Sequence, residues 1–350
     1  VGSTAKVNVV AISTGKQVQG IDTRVTNYAN HSVGHILQHG VILDKSTLTF
    51  NGIGHIHADK GYEFNGVVTR DDTAIVTGKI SGENHPFVKH YTFLRDLVKD
   101  KENVEARLTI PAPAQFYAEL IREDKHVEAL LKAYPDFKGL EDDIVNAYKT
   151  VINDLYKEGL RTLQIDDCTW GCLVDDNFIE SFIEKSDRDK EVIRREFAEK
   201  FLNINNRVFK SNQKDLVINT HVCRGNYDST WFGQGGYDKI ADELFGKEDV
   251  NAYYLEFDTE RAGTFESLAK VSGDKKVVLG LITSKNPTLE EKETVISRIK
   301  EASKYILLDR LYLSPQCGFA STEEGNRLTE EEQWAKLRFI KEIADEIWGS

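Results

Sequence analysis

Residues 142–167 read DDIVNAYKTVINDLYKEGLRTLQIDD, and this stretch decides the fold. Its first part carries apolar residues at helical spacing, which predicts an amphipathic helix over 142–158. Gly159 follows as a natural helix stop. The apolar run 160–165 then predicts a buried strand, so the stretch is one helix–strand unit.

The same unit recurs towards the C-terminus. Further strands are predicted at 216–219, 252–255, 276–282 and 311–313, and further helices at 189–209, at 237–244 and after the capping-box patterns Thr288/Glu291 and Thr329/Glu332. Alternating strands and helices favour a parallel sheet in the α/β class. For a chain of 350 residues we expect one (β/α)8 TIM barrel, a single catalytic domain over 1–350, with a doubly wound sheet as the alternative.

The N-terminal part has a different character. Residues 1–50 show weak periodicity, whereas residues 51–82 are rich in glycine and alternate in the manner of strands. We therefore expect a β-hairpin insertion near the N-terminus.

Composition excludes several classes of function. The net charge is −12 without a basic patch, which argues against a nucleic-acid or anionic-membrane partner. No apolar run approaches the roughly 18 residues that cross a bilayer, and no signal-peptide pattern opens the chain, so we expect a cytoplasmic protein. The four cysteines suggest metal or catalytic chemistry, although Cys168 and Cys172, four residues apart as on one helix, are interpreted as structural.

Four side chains stand at or just beyond the ends of predicted strands: His221, Cys223, Glu256 and Cys317. In a barrel such ends converge on one face, where catalytic groups collect. Two thiolates, an imidazole and a carboxylate suit tetrahedral zinc. Each residue alone also has a structural interpretation, and Asp258 is a rival to Glu256.

Three segments resemble the cobalamin-independent methionine synthase family. They are 219–227 (NTHVCRGNY), 254–256 (YLE) and 313–321 (LSPQCGFAS). The chain is most similar to the short bacterial branch that has only the catalytic barrel, from about residue 51 to the end. The interval of 61 residues from Glu256 to Cys317 fits the family and favours Glu256 over Asp258.

The resemblance implies zinc held by the four residues above, and methyl transfer from polyglutamylated 5-methyltetrahydrofolate to homocysteine. Asp166 matches the family carboxylate that holds the homocysteine amino group, although a helix N-cap is an alternative role for it. Ser3, in Val1-Gly2-Ser3, matches a family serine that contacts the amino acid. The implied enzyme is a 5-methyltetrahydropteroyltriglutamate–homocysteine S-methyltransferase.

Two departures concern the methyl donor. An acidic N-terminal motif of the family is represented only by His39-Gly40-Val41, and Thr283 stands where full-length synthases have a histidine that is a candidate proton donor. The alternatives are a zinc thiol methyltransferase that uses a corrinoid or another small methyl donor, a uroporphyrinogen-decarboxylase-like enzyme without zinc, and a non-catalytic zinc-stabilised binding protein.

Overall fold

The chain divides into two compact units, 1–74 and 75–350. The expectation from the sequence is one domain over 1–350. The structure is a computed structural model. It describes residues 75–181, 188–210, 213–322 and 325–349 with their side chains, and the backbone of 182–183 and of the strands between 4 and 68.

The first unit is built from paired parallel strands. Its strands are β1 (Thr4–Ser13), β2 (Val18–Asn27), β3 (Val33–Ile42), β4 (Thr47–Ile56), β5 (Glu63–Phe64) and β6 (Val67–Val68). β1 pairs with β3 and β2 with β4, and in both pairs the partners are 29 residues apart in the chain. Such a constant offset is typical of stacked solenoid turns. Within the described backbone, the hairpin predicted over 51–82 corresponds to the short antiparallel pair β5–β6, which belongs to this unit.

The second unit contains one parallel sheet. Its strands are β7 (Leu108–Pro111), β8 (Thr162–Asp167), β9 (Val217–Val222), β10 (Ala252–Glu256), β11 (Lys276–Ile282) and β12 (Leu311–Pro315). Each strand pairs in parallel with the next along the chain, in the order β7 to β12. This confirms the α/β class. Within the described residues the sheet has six of the eight strands of a closed barrel, because residues before 75 form the first unit instead.

Helices connect these strands. The α-helices are α1 (Phe87–Val98), α2 (Pro113–Leu120), α3 (Asp124–Ala133), α4 (Leu140–Lys157), α5 (Thr169–Val174), α6 (Asp176–Ile183), α7 (Lys190–Phe209), α8 (Ala241–Lys247), α9 (Lys292–Ala302) and α10 (Glu330–Trp348). Short 3-10 helices occupy Pro135–Phe137, Tyr237–Ile240, Glu260–Ala262, Glu266–Lys270 and Leu308–Arg310. None of the described helices combines the length and the apolar character that crossing a bilayer requires.

The core lies where the helices cover the sheet. Leu163 and Ile165 in β8 are fully buried, as are Ile144 and Leu155 on the inner face of α4. β11 is buried at every position after Lys276, as expected for a parallel strand covered on both faces. Because all six strands run in one direction, their carboxyl ends share one edge of the sheet, and the loops after them carry the candidate site.

Candidate active site

The structure brings the four residues at the strand ends together. His221 lies in β9 with Cys223 directly after the strand, Glu256 ends β10, and Cys317 follows β12 by two residues. One potential ligand atom from each residue lies within 4.8 Å of the others. Neighbouring parallel strands therefore assemble side chains that are up to 96 positions apart in the chain.

The imidazole of His221 presents one free nitrogen to this cluster. Its Nδ1 lies 3.2 Å from the backbone oxygen of Tyr254, which accepts the Nδ1 proton. Nε2 is 3.8 Å from Oε1 of Glu256 and, among the described residues, is buried without a hydrogen-bond partner. A buried polar atom without a partner is costly, and a ring held by the other nitrogen is the usual arrangement of a histidine ligand.

The two thiols of Cys223 and Cys317 complete the cluster, and their electrostatic environment favours a positive charge there. Cys223 Sγ and Cys317 Sγ are 3.9 Å apart. The hydrogen bond with Cys223, then the charges of His221 and Lys285, hold the pKa of Cys317 well below its usual range despite burial. Hydrogen bonds with Cys168 and Cys317, together with burial, raise the pKa of Cys223. Burial opposes a charge on His221, but the Cys317 thiolate outweighs it and raises the pKa of His221 to about 10.

Glu256 is fully buried and rigidly held. Its Oε1 accepts the backbone N–H of Arg224 at 2.8 Å. Its Oε2 accepts from Gln316 Nε2 at 3.0 Å and from Arg261 Nη2 at 3.1 Å. Three donors from three loops therefore fix the carboxylate towards His221, as outer partners do for metal-binding carboxylates.

Asp258, the alternative to Glu256 as the carboxylate ligand, occupies a different position. Its Oδ1 accepts from Arg261 Nη2 at 3.1 Å, the same nitrogen that contacts Glu256. It is not a member of the four-residue cluster. The geometry thus separates the two carboxylates into one that faces the centre and one that supports the arginine behind it.

Gln316 supports the site in a way that the sequence did not predict, and Thr283, which the sequence marks only as a departure from the family, holds it in place. The Thr283 hydroxyl donates to Gln316 Oε1 at 2.5 Å, and Gln316 Nε2 in turn donates to Glu256. Gly280 in β11 permits this approach, since a Cβ there would lie 2.7 Å from the Gln316 Cα and 2.6 Å from the Leu255 oxygen. The position of Gln316 beside Cys317 was the available sequence signal.

Asp166 keeps an oxygen free near the cluster. It pairs in register with His221 across β8 and β9, and its Oδ1, among the described residues, is buried without a partner. Burial raises its pKa to about 6. Asp166 is not a helix N-cap: the N-cap of α5 is Cys168, and Asp167 Oδ1 accepts from the backbone N–H and the hydroxyl of Thr169 at 2.9 and 2.5 Å.

The remaining cysteines separate into two environments. Cys168 belongs to a second close group with Asp166 and Cys223, again within 4.8 Å of one another. Cys172 is in the same helical turn, its N–H bonded to the Cys168 oxygen at 3.0 Å, but it is not part of either close group. The predicted structural role therefore stays a prediction for Cys172, whereas Cys168 is a neighbour of the site. Ser3 lies outside the described residues.

Two family models match different parts of the chain. The model of the cobalamin-independent synthase catalytic domain matches residues 136–346, which include β8 to β12 and all four clustered side chains. The model of the SufBD core domain of the SUF system for iron–sulfur cluster assembly matches residues 1–61. The segment that departs from the resemblance in the sequence thus matches another kind of domain and forms the paired strands of the first unit.

Individual relatives cover most of the chain. The uncharacterized protein YxjG of Bacillus subtilis is 38% identical over 300 residues, 85% of this chain and 75% of YxjG. A crystal structure described as a putative vitamin-B12 independent methionine synthase from Listeria monocytogenes has a TM-score of 0.58 and 33% identity, covering 79% of this chain and 73% of that one. A B12-independent methionine synthase from Shewanella, at 18% identity and a TM-score of 0.50, covers 81% and 69% and supports the fold alone.

Proposed function

We propose that this chain, which belongs to the family of the cobalamin-independent synthase catalytic domain, is a zinc-dependent methyltransferase that converts homocysteine to methionine. The observation that carries the proposal is the convergence of His221, Cys223, Glu256 and Cys317 within 4.8 Å, with a buried imidazole nitrogen that lacks a partner among the described residues.

The donor set fits zinc. Two sulfurs, one imidazole nitrogen and one carboxylate oxygen are ligands that tetrahedral zinc accepts, and the centre already favours positive charge. Bound zinc favours the thiolate form of homocysteine, which supplies the nucleophile near neutral pH. Glu256 is the hardest of the four donors, and its three hydrogen bonds would hold its carboxylate in position as a zinc ligand.

Other side chains bind the amino acid in this proposal. Asp166 offers a buried oxygen beside the cluster, and we assign it to the ammonium group of homocysteine. An ammonium close by would favour its carboxylate form, which burial by itself disfavours. Ser3 remains a predicted contact of the same amino acid.

For the methyl donor we propose a polyglutamylated 5-methyltetrahydrofolate, on the strength of the family. A corrinoid or another small methyl compound is the second candidate, and Thr283 is the observation that favours it. The Thr283 hydroxyl donates to Gln316, so it does not offer its proton to a folate leaving nitrogen at the position where full-length synthases have a histidine.

The direct test is zinc quantitation coupled to methionine formation with several donors. Stoichiometric zinc and methionine from the folate donor are the expected results. Zinc together with methionine only from a corrinoid donor would select the second candidate. A purified protein without stoichiometric zinc, handled without chelators, would contradict the proposal and favour the decarboxylase-like alternative.

Replacement of one ligand gives a sharper prediction. Cys317→Ser should lose most of its zinc and lower methionine formation by more than ~100-fold, since even changes to residues that only orient a metal ligand cost about 10- to 100-fold. Cys172→Ala, in the neighbouring helix but outside the cluster, is the matched control and should keep zinc. Full zinc and activity in Cys317→Ser would show that the ligand set is wrong.

A further inference from the structure

Lys285 is a buried cation that, within the described part of the chain, has no carboxylate partner. It follows β11 by three residues and is only 7% exposed. Its Nζ donates to Asn226 Oδ1 at 2.9 Å, and no carboxylate of the described residues lies within 4.0 Å of it. Lys336, a second lysine that is buried among the described residues, has the carboxylate of Glu290 at 3.3 Å. Burial of an ammonium without a counter-charge is unfavourable, so the position of Lys285 requires an explanation.

A hydrogen-bond network fixes the lysine beside the candidate site. Asn226 Nδ2 donates to the Gly318 oxygen at 2.8 Å and to Ser321 Oγ at 2.7 Å, which turns the amide oxygen towards Lys285. Ser321 Oγ is 3.6 Å from Cys317 Sγ. Two polar side chains therefore link the lysine to a predicted zinc ligand, and the ammonium stays oriented on that side of the cluster.

The remaining N–H groups of this ammonium have the chemistry of a carboxylate receptor. An ammonium carries three donors, of which the contact with Asn226 uses one. Both substrates of the proposed reaction carry carboxylates: the α-carboxylate of homocysteine and the glutamyl carboxylates of the folate donor.

We propose that Lys285 forms a carboxylate subsite of the active site, in which its ammonium pairs with a carboxylate of the bound substrate. This inference rests on the proposed function. The competing role is charge balance for the ligand thiolates alone. The two roles differ in one respect: only a carboxylate subsite distinguishes ligands that have the carboxylate from ligands that lack it.

The experiment measures binding to the zinc-loaded full chain by calorimetry. In the first arm the ligands are L-homocysteine and 3-aminopropane-1-thiol, which keeps the thiol and the amine but lacks the carboxylate. In the second arm they are 5-methyltetrahydropteroyltriglutamate and 5-methyltetrahydropteroate, which lacks glutamate. The variants are Lys285→Met, which keeps the length of the side chain, Lys285→Arg, which keeps the charge, and the control Lys276→Ala at the exposed opposite end of β11.

If the α-carboxylate binds there, Lys285→Met weakens homocysteine binding at least about 30-fold and changes binding of 3-aminopropane-1-thiol less than about twofold. A selective loss for the triglutamate instead assigns the subsite to the donor. Lys285→Arg should recover part of the affinity, and Lys276→Ala should behave as the parent.

Equal effects on the ligands with and without a carboxylate, in both arms, would overturn the proposal in favour of charge balance. Zinc content and unfolding of Lys285→Met are measured in parallel, and they should match the parent because an apolar side chain replaces an unpaired buried charge. If the zinc-loaded parent binds no homocysteine, the proposed function fails first and the α-carboxylate arm falls with it.

Discussion

At the scale of single residues, Arg261 decides how two neighbouring carboxylates are used. Its Nη2 contacts Glu256 Oε2 and Asp258 Oδ1, each at 3.1 Å, and all three side chains are almost completely buried. Two carboxylates this close repel each other unless a cation lies between them. The guanidinium therefore offsets the repulsion between the two carboxylates and supports Glu256 where it faces His221.

Arg261→Leu should be strongly destabilising, because it leaves both carboxylates buried without their cation. We expect a loss of about 3 kcal/mol in the free energy of unfolding. Urea unfolding followed by tryptophan fluorescence measures it, and all four tryptophans lie in the second unit.

The control for this variant is Arg327→Leu, which removes an ion pair with Asp228 in which the arginine side chain is 69% exposed. Solvent screens such a pair, so its loss should be much the smaller of the two. Similar effects of the two substitutions would contradict the bridging role of Arg261.

At the scale of elements, the backbone of α5 packs directly against the backbone of Cys223, a predicted zinc ligand. A Cβ at Gly171 would overlap the carbonyl group of Cys223. The helix can therefore approach the end of β9 only with glycine at this position, and its placement sets the position of Cys223.

Gly171→Ala should push α5 away from Cys223. We expect a loss of about 1–3 kcal/mol in stability from overpacking, together with weaker zinc binding in a competition assay with a chelator. Gly246→Ala in α8 is the matched control, because a Cβ there meets no atom within 4 Å and should be neutral or slightly stabilising. Unchanged zinc affinity in Gly171→Ala would show that the helix does not position the ligand.

The starts of two helices show which features a local sequence pattern predicts correctly and which it does not. The capping box predicted at Thr329 and Glu332 is present and opens α10. The one predicted at Thr288 and Glu291 is wrong: α9 begins at Lys292 without a side-chain cap. The backbone oxygen of Thr288 accepts a hydrogen bond from the buried Lys336 Nζ at 2.6 Å. This contact spans 48 residues, so no local sequence pattern predicts it.

At the scale of the molecule, a buried polar network joins β8, α5, α7 and the turn after α8. Asn205 Nδ2 donates to Asp167 Oδ2 at 2.8 Å and to Glu248 Oε1 at 3.0 Å, and the Trp170 indole donates to the same Glu248 oxygen at 3.2 Å. Burial, and next the charge of Asp167, raise the pKa of Glu248 from 4.5 to about 8.

This network predicts a pH dependence of stability. Between pH 4.5 and about 8 the folded chain retains a proton on Glu248 that the unfolded chain has lost. The free energy of unfolding should therefore fall as pH rises through this window, with a slope approaching ~1.4 kcal/mol per pH unit from this group. Glu248→Gln should flatten the curve in urea unfolding measured across the window.

The control substitution for the pH profile is Glu199→Gln on the exposed face of α7, which should leave the profile as in the parent. A parent whose stability is constant over this window, or a Glu248→Gln variant with the parent slope, would contradict the assignment.

The sequence predicted the architecture of the second unit because its determinants are local. Helical and strand periodicities need only neighbouring residues, and β11 spans 276–282 as predicted. The convergence of His221, Cys223, Glu256 and Cys317 was predictable too, since parallel strands put their carboxyl ends on one edge. One domain over 1–350 is the expectation from the sequence, whereas residues 1–74 form a compact unit of their own, in which strands pair at an offset of 29 residues that no local sequence pattern predicts.

Tertiary structure alone decided what depends on contacts between distant parts of the chain. It gave Glu256 and Asp258 separate roles through Arg261, and it left Lys285 buried beside an amide that the loop after β12 orients. The sequence thus determined which side chains lie at the edge of the sheet that carries the candidate site. The fold determined their charges and partners, because burial and hydrogen bonding, unlike strand order, exist only once the chain is packed.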